Sequence, residues 1–255
     1  MPSSVFAFLG SAKPSRRLFW RLATRFASLP LISPFLTLFS EWNRTSSSGF
    51  LFNPINPLVA HRYTKAYKVE SLFTSYLVQH LTRNDVFYDI GACVGTFTFL
   101  SAKRCRHVVA IDASPLNISV LLSTLAINKF SNVTVVQALL LNSSLMHLTS
   151  IPFSGRFGVA EVSPHNLTTN DGVNLFLPSI TPSTFFESQE LLPTILKVDI
   201  DGYELDFFSG LSSKHLANVR AVLIEINEPA VTLLLQANGF TLLDRDGDNY
   251  IFFRK

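Results

Sequence analysis

Asp89-Ile90-Gly91-Ala92-Cys93-Val94-Gly95 is the stretch on which the fold turns. Val86-Phe87-Tyr88 before it reads as a short buried strand, and Thr96 to Ala102 after it as the first turns of a helix. A strand that breaks on glycines and re-enters as a helix is how an open α/β sheet presents a ligand site beyond its strand ends. The spacing is G-x-x-x-G, not G-x-G-x-x-G. Gly91 can supply a tight turn or a positive φ at the strand's end, and Gly95 lets the helix start close against the sheet or a ligand.

In the dinucleotide fingerprint, a second glycine two residues after the first lets the backbone approach a pyrophosphate. Cys93 occupies that position here, so close passage of two phosphates is disfavoured. A cofactor without a pyrophosphate, such as S-adenosylmethionine, is not excluded by the same argument. A ligand-free strand-to-helix turn remains the plain alternative.

The next segment weighs against that alternative. His107-Val108-Val109-Ala110-Ile111 reads as a second buried parallel strand ending on Asp112, which stands 21 residues after Gly91. An acidic residue about 20 residues after the first glycine, at the tip of the second strand, is placed to accept hydrogen bonds from ribose hydroxyls. Ser114 then reads as an N-cap and Pro115 as the first residue of a helix that runs to about Asn128. Val133 to Ala138 is a short β-branched third strand, with Gln137 and Ala138 at its tip in reach of an adenine edge.

A second motif follows at Ile195-Leu196-Lys197-Val198-Asp199-Ile200-Asp201-Gly202-Tyr203-Glu204. Alternation of period two places Lys197, Asp199 and Asp201 on one face of a strand, near its C-terminal end. Glu204 opens the next helix, Leu205 to Leu211. Three carboxylates, Asp199, Asp201 and Glu204, converge on one crevice in this reading. They could orient a cationic amine, deprotonate a hydroxyl or hold a divalent ion. Alternatively, Asp201 and Glu204 only cap the helix and complement its dipole.

Val219 to Ile226 reads as a fifth strand. Pro229 begins a helix that ends at Asn238-Gly239. Phe240 to Asp244 and Tyr250 to Phe253 then flank Arg245 to Asn249, a hairpin joined across Asp-Gly. Between residues 140 and 190 the signal is weaker, with short strands at 146–151, 158–162 and 173–177 around polar turns.

Composition bounds these readings. The 255 residues suffice for one large α/β domain, and 47 % of them are hydrophobic, with 23 Phe. The net charge of +3 is uneven: residues 1–70 hold nine Lys/Arg against two acids, and the remainder twelve against sixteen. A mildly acidic main domain argues against a nucleic-acid-binding face. Two cysteines, Cys93 and Cys105, form no disulfide framework or zinc pattern and point to a reducing compartment. Residues 1–40 contain no Asp or Glu, and Arg16, Arg17, Arg21 and Arg25 interleave with Phe19, Trp20, Leu22 and Phe26. That pattern allows a basic amphipathic helix at 15–28 on an anionic membrane surface, an organelle transit peptide, or a helical cap on the domain. The apolar run at 29–39 carries two prolines and is too short to span a bilayer. The expected organisation is an N-terminal segment 1–65 followed by a catalytic domain 66–255.

Asp89-Ile90-Gly91-Ala92 with Gly95, Ile111-Asp112-Ala113-Ser114-Pro115, Leu196 to Glu204 and Leu223-Ile224-Glu225 together resemble the FkbM-type methyltransferases. The Lys-x-Asp-x-acid-Gly-x-Glu block is the most specific part of this likeness, which covers roughly residues 66–255. The resemblance implies the class I methyltransferase (Rossmann-like) three-layer sandwich, a seven-stranded mostly parallel sheet with an antiparallel terminal hairpin. It also implies S-adenosylmethionine, and usually O-methylation of a hydroxyl on a sugar, glycan or secondary metabolite. Asp112 and Asp201 stand where the family generally has Glu, each one methylene shorter. The cofactor-binding set is then Asp89, Gly91, Ala92, Gly95, Asp112, Gln137, Ala138 and Asp199. The catalytic set is Asp199, Asp201 and Glu204. No metal is expected, although Asp199, Asp201 and Glu225 have spacing that allows one. A cytoplasmic enzyme with peripheral membrane contact through residues 1–40 is the expected setting. Two rival readings are a non-catalytic membrane-surface protein on a degenerate methyltransferase domain and a nicotinamide-dependent oxidoreductase. Cys93 and the terminal hairpin weigh against the second.

Overall fold

The computed structural model describes residues 44–47, 49–52, 63, 71–143, 146–152, 172–226 and 228–254. The expected basic helix at 15–28, the apolar run at 29–39 and the strand at 158–162 lie outside the described residues. A small hairpin, β1 (Arg44–Thr45) and β2 (Leu51–Phe52), precedes α1 (Ser71–His80). The first half of the main sheet then runs β3 (Val86–Ile90), α2 (Thr96–Ala102), β4 (His107–Asp112), α3 (Pro115–Asn128) and β5 (Val133–Gln137). An insert of β6 (Leu139–Leu140), β7 (Met146–Pro152), β8 (Gly172–Ile180) and α4 (Pro182–Glu187) follows. The second half comprises β9 (Ile195–Val198), α5 (Glu204–Ser209), β10 (Ala221–Glu225), α6 (Pro229–Ala237), β11 (Thr241–Asp246) and β12 (Asn249–Phe253).

Seven strands form one sheet in the order β11-β12-β10-β9-β3-β4-β5. The five strands from β10 to β5 run parallel, and β12 enters antiparallel between β10 and β11. This is the class I methyltransferase sheet that the sequence leads one to expect, with its reversed last strand. Strands β3 and β4, the glycine turn and the helix from Pro115 to Asn128 fall where the sequence places them.

β3 is buried along its whole length, as a parallel strand with helices on both faces must be. Val86, Tyr88 and Ile90 pack toward Phe185, Phe186 and Phe207 of α4 and α5. Phe87, on the other face, meets Phe73, Leu77 and Phe97 of α1 and α2. Period-two alternation therefore puts Asp89 on the α2 face of the strand, 0 % exposed, and Thr98 of α2 donates its hydroxyl to Asp89 Oδ2 at 2.6 Å. A third cluster draws Phe50, Phe52 and Tyr63 into contact with Phe99 of α2 and Leu121 of α3. Part of the chain before residue 66 is thus built into the core.

Several elements differ from the sequence reading. β9 ends at Val198, because Ile200 to Gly202 turn to meet Glu204, so the alternation that would carry Asp201 onto the face of Lys197 stops short. The terminal hairpin turns at Gly247-Asp248, and its strands are longer than expected. In the insert, β8 runs on to Ile180, pairing antiparallel with β7 and parallel with β6. α4 carries a legible signal that the sequence reading passed over: Thr181 as N-cap, its side chain accepting from Thr184 N, followed by Pro182. Asn117 and Asn132 each open an Asn-x-Ser/Thr glycosylation sequon, but Asn117 is 3 % exposed with its amide on Asp112 Oδ1, and the Asn132 amide donates to Ala102 O and Cys105 O. Both amide nitrogens are committed inside the fold.

The N-terminal ends of three strands are tied together at the opposite edge from the glycine turn. Arg220, preceding β10, donates from Nε and Nη2 to the two Asp85 oxygens at 3.1 and 2.9 Å and from Nη2 to His80 O at 2.8 Å. Thr194, preceding β9, donates to Asp85 Oδ1 at 2.7 Å. Burial pushes the Asp85 carboxyl up, but the donors of Arg220, Thr194 and Thr82 outweigh it and hold the group below the usual carboxylate range. A depressed carboxylate stabilises the fold above its unfolded value, and that contribution is lost as pH falls through the folded value. Arg220→Ala is therefore expected to cost about 2 kcal/mol near pH 7. In urea titrations the gap between wild type and variant should close as Asp85 protonates below about pH 4. A pH-independent gap would contradict this account of Asp85.

Candidate active site

The strand order reverses at β3, with β4 on one side and β9 on the other. In open α/β sheets a crevice opens beyond the strand ends at such a point. Gly91 stands there with φ +74°, its N–H and that of Ala92 both donating to Ile111 O at 2.9 Å. A Cβ at Gly91 would lie 1.8 Å from Asp199 O. Glycine is thus required twice, for its backbone conformation and for the close approach of the two strand ends. Gly95 (φ +89°) stands where side chains of two helices meet. A Cβ there would come within 2.6 Å of Leu121 and Phe99, so its bareness admits the close packing of α2 against α3.

Beneath the glycine turn lies a buried ion set. Asp89 and Lys197 are cross-strand partners in β3 and β9. Lys197 is 2 % exposed, and its ammonium sits 3.4 Å from Asp89 Oδ1 and 3.2 Å from both Asp199 Oδ2 and Gly91 O. It also lies 5.5 Å from the centre of the Phe97 ring. Asp199 is the partly exposed member, with 29 % of its side chain accessible. One buried cation thus links the first strand, the glycine turn and the crevice carboxylate.

On the other side of the turn, Asp112 is 9 % exposed. Its Oδ1 accepts from Ser114 N at 2.8 Å and Asn117 Nδ2 at 3.1 Å, and its Oδ2 accepts from Cys93 N at 2.7 Å. A carboxylate offers about four acceptor positions, so three inward bonds leave capacity for a further donor. Burial pushes the Asp112 carboxyl up to about 6, against the pull of Ser114, Asn117, Cys93 and Lys197. Ala138 N donates to Asp112 O at 3.1 Å, and Gln137 Nε2 lies 3.5 Å from Ala113 O. The tip of β5 is thereby placed beside that of β4.

The three carboxylates of the second motif do not share one environment. Asp201 is exposed in the turn, with φ +51°. Glu204 is 2 % exposed, and its oxygens accept from Ile200 N at 3.0 Å and Gly202 N at 3.1 and 3.3 Å. Its geometry is that of a side chain holding the turn, and it does not join Asp199 and Asp201 at the crevice. Glu225, at the end of β10, lies in the field of all three. Burial raises its carboxyl, and the charges of Asp199, Asp201, Glu204 and Asp248 raise it further. Among the described residues no three acidic, histidine or cysteine side chains assemble as a metal-binding group, so Asp199, Asp201 and Glu225 do not form the cation site that their spacing allows.

Sequence reasoning left Lys197, Thr98 and Asn117 outside the site. Lys197 had a signal, a lone cation in an otherwise apolar parallel strand, which must find carboxylates if it is buried. Thr98 and Asn117 had none, because their partners lie on other elements.

The family model described as the methyltransferase FkbM domain matches residues 89–241. The methyltransferase sdnD of Sordaria araneosa is 25 % identical over 213 residues, 68 % of this chain and 81 % of its own length. Among solved structures, a methyltransferase FkbM of Methylobacillus flagellatus aligns over 89 % of this chain and 60 % of its own, at 15 % identity and TM-score 0.46. A precorrin-6y C5,15-methyltransferase of Geobacter metallireducens aligns over 74 % and 88 %, at 12 % identity and TM-score 0.45. The chain belongs to the FkbM-domain methyltransferases.

The strand-end geometry can be tested without a ligand. Gly91→Ala should destabilise the protein by about 3 kcal/mol or more, since backbone must move. Gly202→Ala, at φ +98° but with nothing within 4 Å of its Cβ, should cost only about 1 kcal/mol of backbone strain. Equal losses in chemical denaturation would contradict the close approach at Asp199.

Proposed function

We propose that this methyltransferase uses S-adenosylmethionine and methylates a hydroxyl of a sugar, glycan or secondary metabolite. The observation that carries the cofactor reading is the Asp112 carboxylate, poised at the tip of β4 beside the glycine turn with acceptor capacity beyond its three inward bonds. Ribose hydroxyls are donors of the right kind for it. Gln137 and Ala138 stand beside Asp112 on the side of the adenine. Asp199, held by Lys197, presents a carboxylate toward the amino-acid end. S-adenosylmethionine supplies, when bound, a methyl group already activated on a sulfonium. The chain's own contribution is therefore chiefly positioning.

A hydroxyl acceptor must lose a proton as it is methylated. Asp201, exposed in the turn, and Glu225, at the end of β10, are the carboxylates assigned that proton. A base works best when its pKa lies near the working pH, and the raised Glu225 carboxyl moves in that direction. Glu204, engaged by two backbone N–H groups, is assigned the upkeep of the turn instead.

Ribose hydroxyls donate to an ionised Asp112, so affinity should be full above about pH 6 and fall below it, by at most tenfold per pH unit. Calorimetric titration with S-adenosylhomocysteine between pH 5 and 8 should show this fall for wild type. Asp112→Asn should bind more weakly at pH 8 and with a flatter profile. Absence of binding by wild type at any pH would remove the S-adenosylmethionine reading. Binding with an unaltered profile in the variant would remove the ribose role alone.

A further inference from the structure

Tyr63 precedes the sheet in sequence, yet its hydroxyl reaches the glycine turn. The residue is 1 % exposed, and its ring stands edge-on to Phe50 and Phe52, with centroids 4.9 and 5.0 Å away. Its carbonyl accepts from Ser47 N at 3.0 Å and Ser47 Oγ at 2.9 Å, which ties it to the β1–β2 hairpin. The hairpin is anchored on α3, where the Asn128 amide pairs with both N and O of Leu51 at 2.6 Å. From this base the Tyr63 hydroxyl donates to Val94 O, with Thr124 Oγ 3.4 Å away. Burial raises the phenol, so it remains a donor throughout the physiological range.

Val94 is flanked by two residues in left-handed conformation, Cys93 (φ +51°) and Gly95 (φ +89°). Cys93 is not glycine, and such a backbone persists only where its surroundings fix it. Its conformation aims the Cys93 N–H at Asp112 Oδ2, at 2.7 Å. A hydrogen bond on the next carbonyl along is therefore a direct hold on the turn that organises Asp112.

We propose that Tyr63 is a positioning residue for the cofactor, holding the Val94 carbonyl so that the glycine turn keeps Asp112 set for the ribose. This rests on the S-adenosylmethionine reading above. It makes cofactor affinity depend on a segment that precedes the matched methyltransferase domain, with no contact between Tyr63 and the ligand.

Tyr63→Phe keeps the ring and its packing and removes only the donor. In the full chain this variant should raise the dissociation constant for S-adenosylhomocysteine about five- to tenfold, the scale of one buried hydrogen bond. Hydrogen exchange should quicken in the peptide spanning residues 91–95 while β3 and β4 stay protected. Asp85→Asn, which loosens the far end of the sheet, should lower the melting temperature without moving that affinity. It thereby separates positioning from mere stability. An unchanged dissociation constant, or unchanged exchange at 91–95, overturns the proposal. A wild type that binds no S-adenosylhomocysteine overturns both readings. That result differs from failure of this one alone, in which wild type and Tyr63→Phe bind equally well.

Discussion

The buried ammonium of Lys197 is the interaction on which the site depends. A lysine 2 % exposed in the middle of a sheet is tolerable only with carboxylates against it. Asp89 across the strand pair and Asp199 one turn of the pleat further on supply them, at 3.4 and 3.2 Å. Once that set is fixed, much else follows. Asp89 must face α2, where Thr98 completes one of its oxygens. The Gly91 carbonyl must come to the ammonium, which draws the strand end so near Asp199 that no Cβ fits. Two carboxylates against one ammonium also leave the floor of the crevice electronegative, which suits a ligand carrying positive charge.

Function here is set against stability at identifiable atoms. Asp112 is held in a place that raises its carboxyl to about 6, so the ionised form is costly to the empty fold at neutral pH. Ligand hydroxyls would offset that cost. Cys93 and Asp201 both adopt positive φ without being glycine, one on each side of the crevice. Strain of this kind gathers where a backbone has been set for a ligand rather than for its own comfort. The opposite end of the sheet, with Arg220 and Thr194 around Asp85, carries no such burden and works as a clasp.

What the sequence disclosed was whatever is local. The glycine turn, the Ser114-Pro115 helix start and the apolar runs of β3, β4 and β10 are written in neighbouring residues, and the structure reproduces them. The end of β9 was not legible, because Glu204 reaches back to the backbone of Ile200 and Gly202 and ends the strand earlier than apolar alternation suggests. That contact changes the candidate site. It commits the Glu204 oxygens to the backbone of the turn, beside Glu225 from a strand in a later part of the chain. The packing of Leu121 against Gly95 was likewise not legible, since Leu121 lies far along the sequence. Tyr63 was invisible for the same reason: nothing near it in sequence announces Val94 as its partner.

Binding of the cofactor in the crevice at β3, β4 and β9 is the central claim. Backbone amide spectra of the isotopically labelled protein, recorded as S-adenosylhomocysteine is titrated in, address that directly. The largest shifts are expected at Gly91, Cys93, Ala113, Ala138 and Ile200, with Asp85, Arg220 and β11 unmoved. Shifts confined to other surfaces, or none at millimolar ligand, would contradict it.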